Sequence, residues 1–357
     1  MKKSLIALAA LAAVTAASAQ STVTISGDIQ AGFQQHLSQA TANYVGFGTS
    51  TPSTAALTKG QTRGLNLMDS AVNFAATEDL GGGLKATGSF KIERSANFRG
   101  AYTSFADTSL GVSADFGSIT YANTRSSDTF AAIASGAISL PDSVYDDSGI
   151  TARAGIDVLS FKLPTMSGFS TSISYIEPSD GDTTVANQTV TAATGRPNGT
   201  SQFVIGTTYT NGPLTAMLTY KAKPSAMIAG TTAATSQTGK ANIELAALYN
   251  AGVAVVGIGY DAASVEGATK IAATGGLVQS DKAAWGVSAT VPMGALSFGI
   301  EHWKRGAATD SKFGVTYALS KRTSLTAATG NKDFPKIANS SNVTSNNQYR
   351  LSAKHSF

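Results

Sequence analysis

Few residues in this chain are of a kind that performs covalent chemistry. There are three histidines, His36, His302 and His355, and no cysteine. Without cysteine there are no disulfide frameworks, thiolate zinc sites or thiol nucleophiles. A hydrolytic serine needs a histidine base beside it, and the three histidines are badly placed for that. His302 continues the alternating series Leu296, Phe298, Ile300, and His355 belongs to the series Leu351, Ala353, Phe357. His36 stands at the entrance to a long polar stretch. No close cluster of His, Asp and Glu has metal-ligand spacing. Gly81-Gly82-Gly83 is not followed by a helical pattern, so it reads as a turn and not as a phosphate loop. The sequence therefore offers no catalytic residues, no metal site and no cofactor site, and it does not read as an enzyme.

What remains must act through architecture. Charged residues are 13% of 357, about half the share in an ordinary soluble domain, and hydrophobic residues are 42%. No stretch beyond the first 20 residues is apolar for the roughly 18 residues that a membrane helix needs. Residues 1–19 read as a secretory signal. Lys2 and Lys3 open it, Leu5 to Ala17 are apolar, and Ala17-Ser18-Ala19 offers small residues for cleavage. Removing them leaves residues 20–357 as one domain with 24 bases against 22 acids, a net charge of +2. No argument for nucleic acid survives that balance.

Along residues 20–357 the repeating pattern is alternation with period two, the mark of a strand with one apolar face. Val23, Ile25, Ile29 and Phe33 form one such series, Leu214, Ala216, Leu218 and Tyr220 another, and Phe313, Val315, Tyr317 and Leu319 a third. The opposite face is mostly Gly, Ser, Thr and Ala, where a soluble sandwich would carry many Lys and Glu. An apolar face toward lipid and a small polar face toward a lumen is the pattern of a transmembrane barrel. Such a sheet must close, because lipid cannot satisfy an open edge. Tight turns at residues 80–83, 116–118, 166–168, 211–213, 250–252, 292–294 and 320–322 alternate with long polar stretches. Seven short turns and eight long loops join sixteen antiparallel strands, with both termini on the short-turn, periplasmic side.

Four segments resemble one family, the trimeric sixteen-stranded general porins of Gram-negative bacteria. They are the opening run Gln20 to Gly27, the run Thr77 to Ala86 (TEDLGGGLKA), the run Tyr317 to Leu325 (YALSKRTSL) and the ending Ala353 to Phe357. The resemblance implies that the third long loop, Ser126 to Gly149, folds into the barrel and narrows it. That loop carries Asp128, Asp142, Asp146 and Asp147, and no Lys or Arg occurs from 126 to 152. Opposite it the family carries a basic wall, for which this sequence offers Arg63, Lys85, Lys91 and Arg153. The family also implies that the terminal Phe357 is read as an assembly signal.

The resemblance further implies a homotrimer in the outer membrane, in contact with lipid and lipopolysaccharide, delivered by the barrel-assembly machinery. Its transported partners are small hydrophilic solutes and ions. The expected function is passive diffusion with a weak anion preference. A substrate-specific channel and a plugged structural or adhesive barrel are the alternatives. The first wants a continuous aromatic slide or dense basic lining. The second wants a filled lumen, whereas stretches such as Gly286, Ser288, Thr290 leave space.

Overall fold

A computed structural model describes residues 21–40, 58–68, 70–94, 103–125, 129–133, 138, 155–178, 200–223, 225–226, 238–262, 265–266, 282–306, 308–333 and 343–357. The expected signal segment, residues 1–19, lies outside them. Sixteen antiparallel strands close into one barrel. The first eight are β1 (Thr22–Ala40), β2 (in two pieces, Thr58–Leu67 and Ser70–Gly81), β3 (Leu84–Arg94), β4 (Thr103–Ala114), β5 (Gly117–Arg125), β6 (Gly155–Lys162), β7 (Phe169–Pro178) and β8 (Thr200–Asn211). The second eight are β9 (Leu214–Lys221), β10 (Asn242–Asn250), β11 (Val255–Asp261), β12 (Ala284–Met293), β13 (Leu296–Arg305), β14 (Ala308–Ala318), β15 (Thr323–Asp333) and β16 (Val343–Ser356).

Each strand pairs with the next in sequence, and β16 pairs with β1, Leu351 opposite Phe33, so no edge is left for lipid. The last bonds of that seam are reciprocal. Gly27 N donates to Phe357 O at 3.1 Å, and Phe357 N donates to Gly27 O at 2.9 Å. The Phe357 ring lies over Gly27, where a Cβ would stand 2.8 Å from its Cζ. The short turns are where the sequence places them. Gly212 and Gly294 take φ of 54° and 64°, a left-handed conformation that glycine adopts at no steric cost. Asn250 Oδ1 accepts the Gly252 N–H at 2.9 Å, which fixes another turn through a side chain.

The apolar series face outward and are exposed, Val23 by 71% and Ile258 by 63%, as a lipid-facing band requires. Phe74 and Phe90 stack across β2 and β3 on that face, with ring centroids 4.7 Å apart.

In one place the alternation slips. In the upper piece of β2, Leu65 pairs with the outward Phe33, while in the lower piece Ala71 pairs with the inward Asp28. The ladder holds one more residue on β2 than on β1 between those pairs, a bulge that exchanges the two faces. Met68 N donates to Gln30 O at 2.6 Å, and Ser70 Oγ donates to Met68 O at 2.9 Å, so the bulge is bonded on both sides.

Candidate pore lining and constriction

The inward phase divides into two arcs. From β4 to β8 it is lined by small or hydroxylated residues such as Ser109, Gly111, Thr120, Ser160, Ser174 and Gly206. Hydroxyls meet across strands here, Ser89 with Ser109 at 2.7 Å between Oγ atoms and Ser174 donating to Ser160 at 2.9 Å. The charges of this arc among the described residues stand near its ends. Asp107 lies above and Lys162 below.

From β9 to β16 the inward phase carries charge after charge. Lys221 pairs with Glu244 across β9 and β10. Arg305 pairs with Asp261 while both side chains are buried, and Asn242 Nδ2 donates to Asp261 Oδ1 at 2.8 Å. Arg305 Nη1 also donates to Lys282 O at 3.0 Å. On β13 to β15, Lys312 Nζ lies 3.2 Å from Glu301 and 3.3 Å from Asp310, and Lys332 Nζ lies 3.7 Å from the same Asp310 carboxylate. At the seam Lys354 and Asp28 are 3.4 Å apart. Removing charges from water is costly unless each gains a partner and further hydrogen bonds. Most of these pairs join opposite signs on neighbouring strands, and Lys312 also meets Asp310 on its own strand.

The third loop meets this second arc. Its described part is Thr129, the single 3-10 turn Phe130–Ile133 and residue 138. Thr129 N donates to Glu244 Oε2 at 3.3 Å, and the Thr129 and Thr219 hydroxyls are 2.5 Å apart. Ser288 Oγ donates to the Ile133 carbonyl. The Ile133 side chain is wholly buried against Ala246, Ala284 and Trp303, with Met217 and Leu248 beside them. Every one of those wall residues is in the inward phase, so this turn lies inside the barrel.

The residues singled out from the sequence fall as follows. Lys91 is inward on β3, with Nζ 2.8 Å from Glu93 and 3.8 Å from Asp107. Thr124 Oγ1 in turn donates to Asp107 at 2.5 Å. Lys85 is exposed and in the same phase as Lys91, near the periplasmic end of β3. Arg63 pairs with Gln35 in register with the outward Phe33–Leu65 pair, because the bulge at Met68 reverses the phase of upper β2. Asp128, Asp142, Asp146, Asp147 and Arg153 lie outside the described residues. Among the described residues no three His, Cys, Asp or Glu side chains group as a metal site. His302 is outward, its Nδ1 2.7 Å from Ser311 Oγ and its ring 5.5 Å from that of Trp285.

Sequence reasoning missed the charged arc and the Ile133 contact. The signal for the second was present as Phe130-Ala131-Ala132-Ile133, an apolar run in an otherwise Ser- and Asp-rich loop.

A sixteen-stranded closed barrel with an outward apolar band and a polar interior entered by its third loop agrees with a sequence comparison. The profile of the Gram-negative porins matches residues 7–336. The chain belongs to the Gram-negative porin family. Solved porins share its fold. An anion-selective porin from Comamonas acidovorans aligns with a TM-score of 0.62 at 18% identity, over 95% of this chain and 100% of that one. Variants of the Rhodopseudomonas blastica porin align with TM-scores of 0.59 and 0.56 at 12% and 11% identity, each over 94% of this chain and 100% of the other. No curated protein sequence matches. This porin is thus an outer-membrane barrel and a non-enzymatic channel, and its inner wall is its working surface.

Proposed function

We propose that this porin is a general-diffusion channel for ions and small hydrophilic solutes, with a weak preference for anions. The observation that carries the reading is the near balance of its lining. Among the described residues Lys91, Lys221, Arg305, Lys312, Lys332 and Lys354 each lie beside an acid, so these charges together present little net field to a passing ion. Lys85 and Lys162, both exposed and with no ion pair among the described residues, tip the balance toward positive. The third-loop acids Asp128, Asp142, Asp146 and Asp147 act against Lys91, anchored on β3, and against Arg153. Arg63, in the outward register, is left out of this wall. That one solved relative in fold is named an anion-selective porin agrees with the sign.

The test is a reversal potential across planar bilayers in a salt gradient at low ionic strength, before and after Lys91→Ala with Arg153→Ala. The wild type is expected to be weakly anion-selective and the double variant less so. The preference fades as the screening length falls from about 30 Å at 0.01 M to about 10 Å at 0.1 M. A clearly cation-selective wild type would show that the loop acids dominate. Residues 1–19 act as the export signal, the folded protein assembles as a homotrimer among lipopolysaccharide, and Phe357 is the end recognised by the assembly machinery. Deleting Phe357 also removes its pairing with Gly27, and it is expected to lower the yield of heat-modifiable barrel severalfold. Unchanged yield in outer-membrane fractions argues against the signal role.

A further inference from the structure

We infer that two glycines of the inner wall, Gly257 on β11 and Gly286 on β12, form a socket whose occupation by Ile133 sets the position of the third loop and hence the opening of the pore. The inference rests on the channel reading above. It assigns a positioning role to residues that carry no charge and line no ion path.

The geometry is tight. A Cβ at Gly257 would stand 2.5 Å from Oγ of Ser288, the residue that holds the Ile133 carbonyl, 2.9 Å from the Cβ of Ile133 and 3.1 Å from Cδ2 of Leu248. Real Cβ atoms do not approach other carbons that closely, so any side chain at 257 displaces the loop or the wall. At Gly286 the space is taken by the Trp303 ring, against which a Cβ would collide directly. Trp303 can lie flat on the wall only because position 286 has no side chain, and Trp303 forms one side of the Ile133 seat. The two glycines are therefore not fillers of a spacious lumen. One admits the loop and the other admits the aromatic ring that holds it.

Around that apolar contact stand three polar ones. Glu244 accepts the Thr129 N–H, Thr219 meets the Thr129 hydroxyl, and Ser288 donates to the Ile133 carbonyl. These bonds fix direction, each with a modest net gain. Burial of the whole Ile133 side chain adds the transfer of an aliphatic group out of water. The loop therefore leans on the β10–β12 wall chiefly through one side chain. If that contact is lost, the turn leaves this wall and moves toward the lumen axis.

The absence of cysteine from the chain makes the test clean. Gly257→Ala, Ile133→Ala and the double variant Ile133→Cys with Gly257→Cys are refolded, checked for heat-modifiability and recorded as single channels. Gly257→Ala and Ile133→Ala are expected to lose the quiet open level of the wild type, with lower mean conductance and raised open-channel noise. Two cysteines here start with Cβ atoms 2.9 Å apart, and the displacement that any side chain at 257 imposes carries them toward the roughly 3.5–4.5 Å of a disulfide. The oxidised double variant is expected to be quiet, and reduction to make it noisy. Ile133→Ala alters only the loop, so it reports even if Gly257→Ala fails to fold. Folded Ile133→Ala channels with wild-type conductance and noise overturn the inference, as does a double variant whose noise is indifferent to reduction. A wild type that conducts no ions would instead sink the channel reading itself.

Discussion

The arc of inner wall from β4 to β8 and the arc from β9 to β16 arise from the same alternation, yet they are built differently. The first is a lining of glycine and hydroxyls in which Ser174 donates to Ser160 and little else is tied down. The second is a lattice of buried charge, Arg305 on Asp261 and Lys312 between Glu301 and Asp310, and it is the side on which the third loop rests. Both arcs show lipid the same apolar face. The difference shows that the outward face of a barrel strand is fixed by the solvent around it, while the inward face is free to specialise. Here one arc leaves space and the other supplies anchorage.

The comparison is broken most severely by removing one half of a buried pair. Arg305→Ala leaves Asp261 buried without its cation and is expected to cost about 3–5 kcal/mol of barrel stability. Urea unfolding in detergent micelles, followed by tryptophan fluorescence, reads the loss. A midpoint equal to that of the wild type would mean that Asp261 is solvated after all and the lattice is not structural.

A smaller effect sharpens the contrast in electrostatics. Ala122→Asp, opposite Ser109 and Val158, places an uncompensated carboxylate on the first arc, whereas Glu301→Gln removes one whose charge Lys312 already offsets. At about 8 Å in water a unit charge acts on an ion with roughly 0.5 kcal/mol, or a factor of about two in preference. Ala122→Asp is expected to shift the reversal potential toward cations by about that factor. Glu301→Gln should shift it less, and in the opposite sense. Equal shifts would show that the paired charges are as visible to ions as free ones.

The smallest effect is expected on the bare arc itself. Ser174→Ala removes one hydroxyl contact beside water, worth about 1 kcal/mol at most. The same unfolding experiment checks it. A loss comparable to that of Arg305→Ala would erase the distinction between the arcs.

Much of this fold is legible in the sequence because lipid leaves so few choices. Val23, Ile25 and Ile29 fix one phase, Asn211-Gly212-Pro213 and its counterparts fix the turns, and alternation of short and long connections fixes the strand number. Legibility ends where two residues on one strand stop obeying the period. Nothing in the run Leu65 to Ala71 announces the bulge at Met68, since Leu, Asn, Ser and Ala suit either face, and so Arg63 could not be assigned a side. The inward charges were each visible as residues, but pairs such as Lys221 with Glu244 join neighbouring strands across a long loop, and register at that distance is set by the whole barrel. Ile156 and Val158 of β6 are inward though apolar, which is why the alternation around them reads as unsettled.

The two glycines beneath the third loop also determine how thick the wall is at that place. On the other side of Gly257 its neighbours Val256 and Ile258 are bathed in hydrocarbon, and Trp285 and Val287 flank Gly286 in the same way. Because these glycines have no side chain of their own on the inner side, only a single peptide plane separates the bilayer from the Ile133 and Trp303 side chains that cover these positions. Elsewhere a layer of inward side chains cushions the lumen from the membrane. At this seat any tilt or flattening of the pleat is passed from lipid to loop without an intermediary.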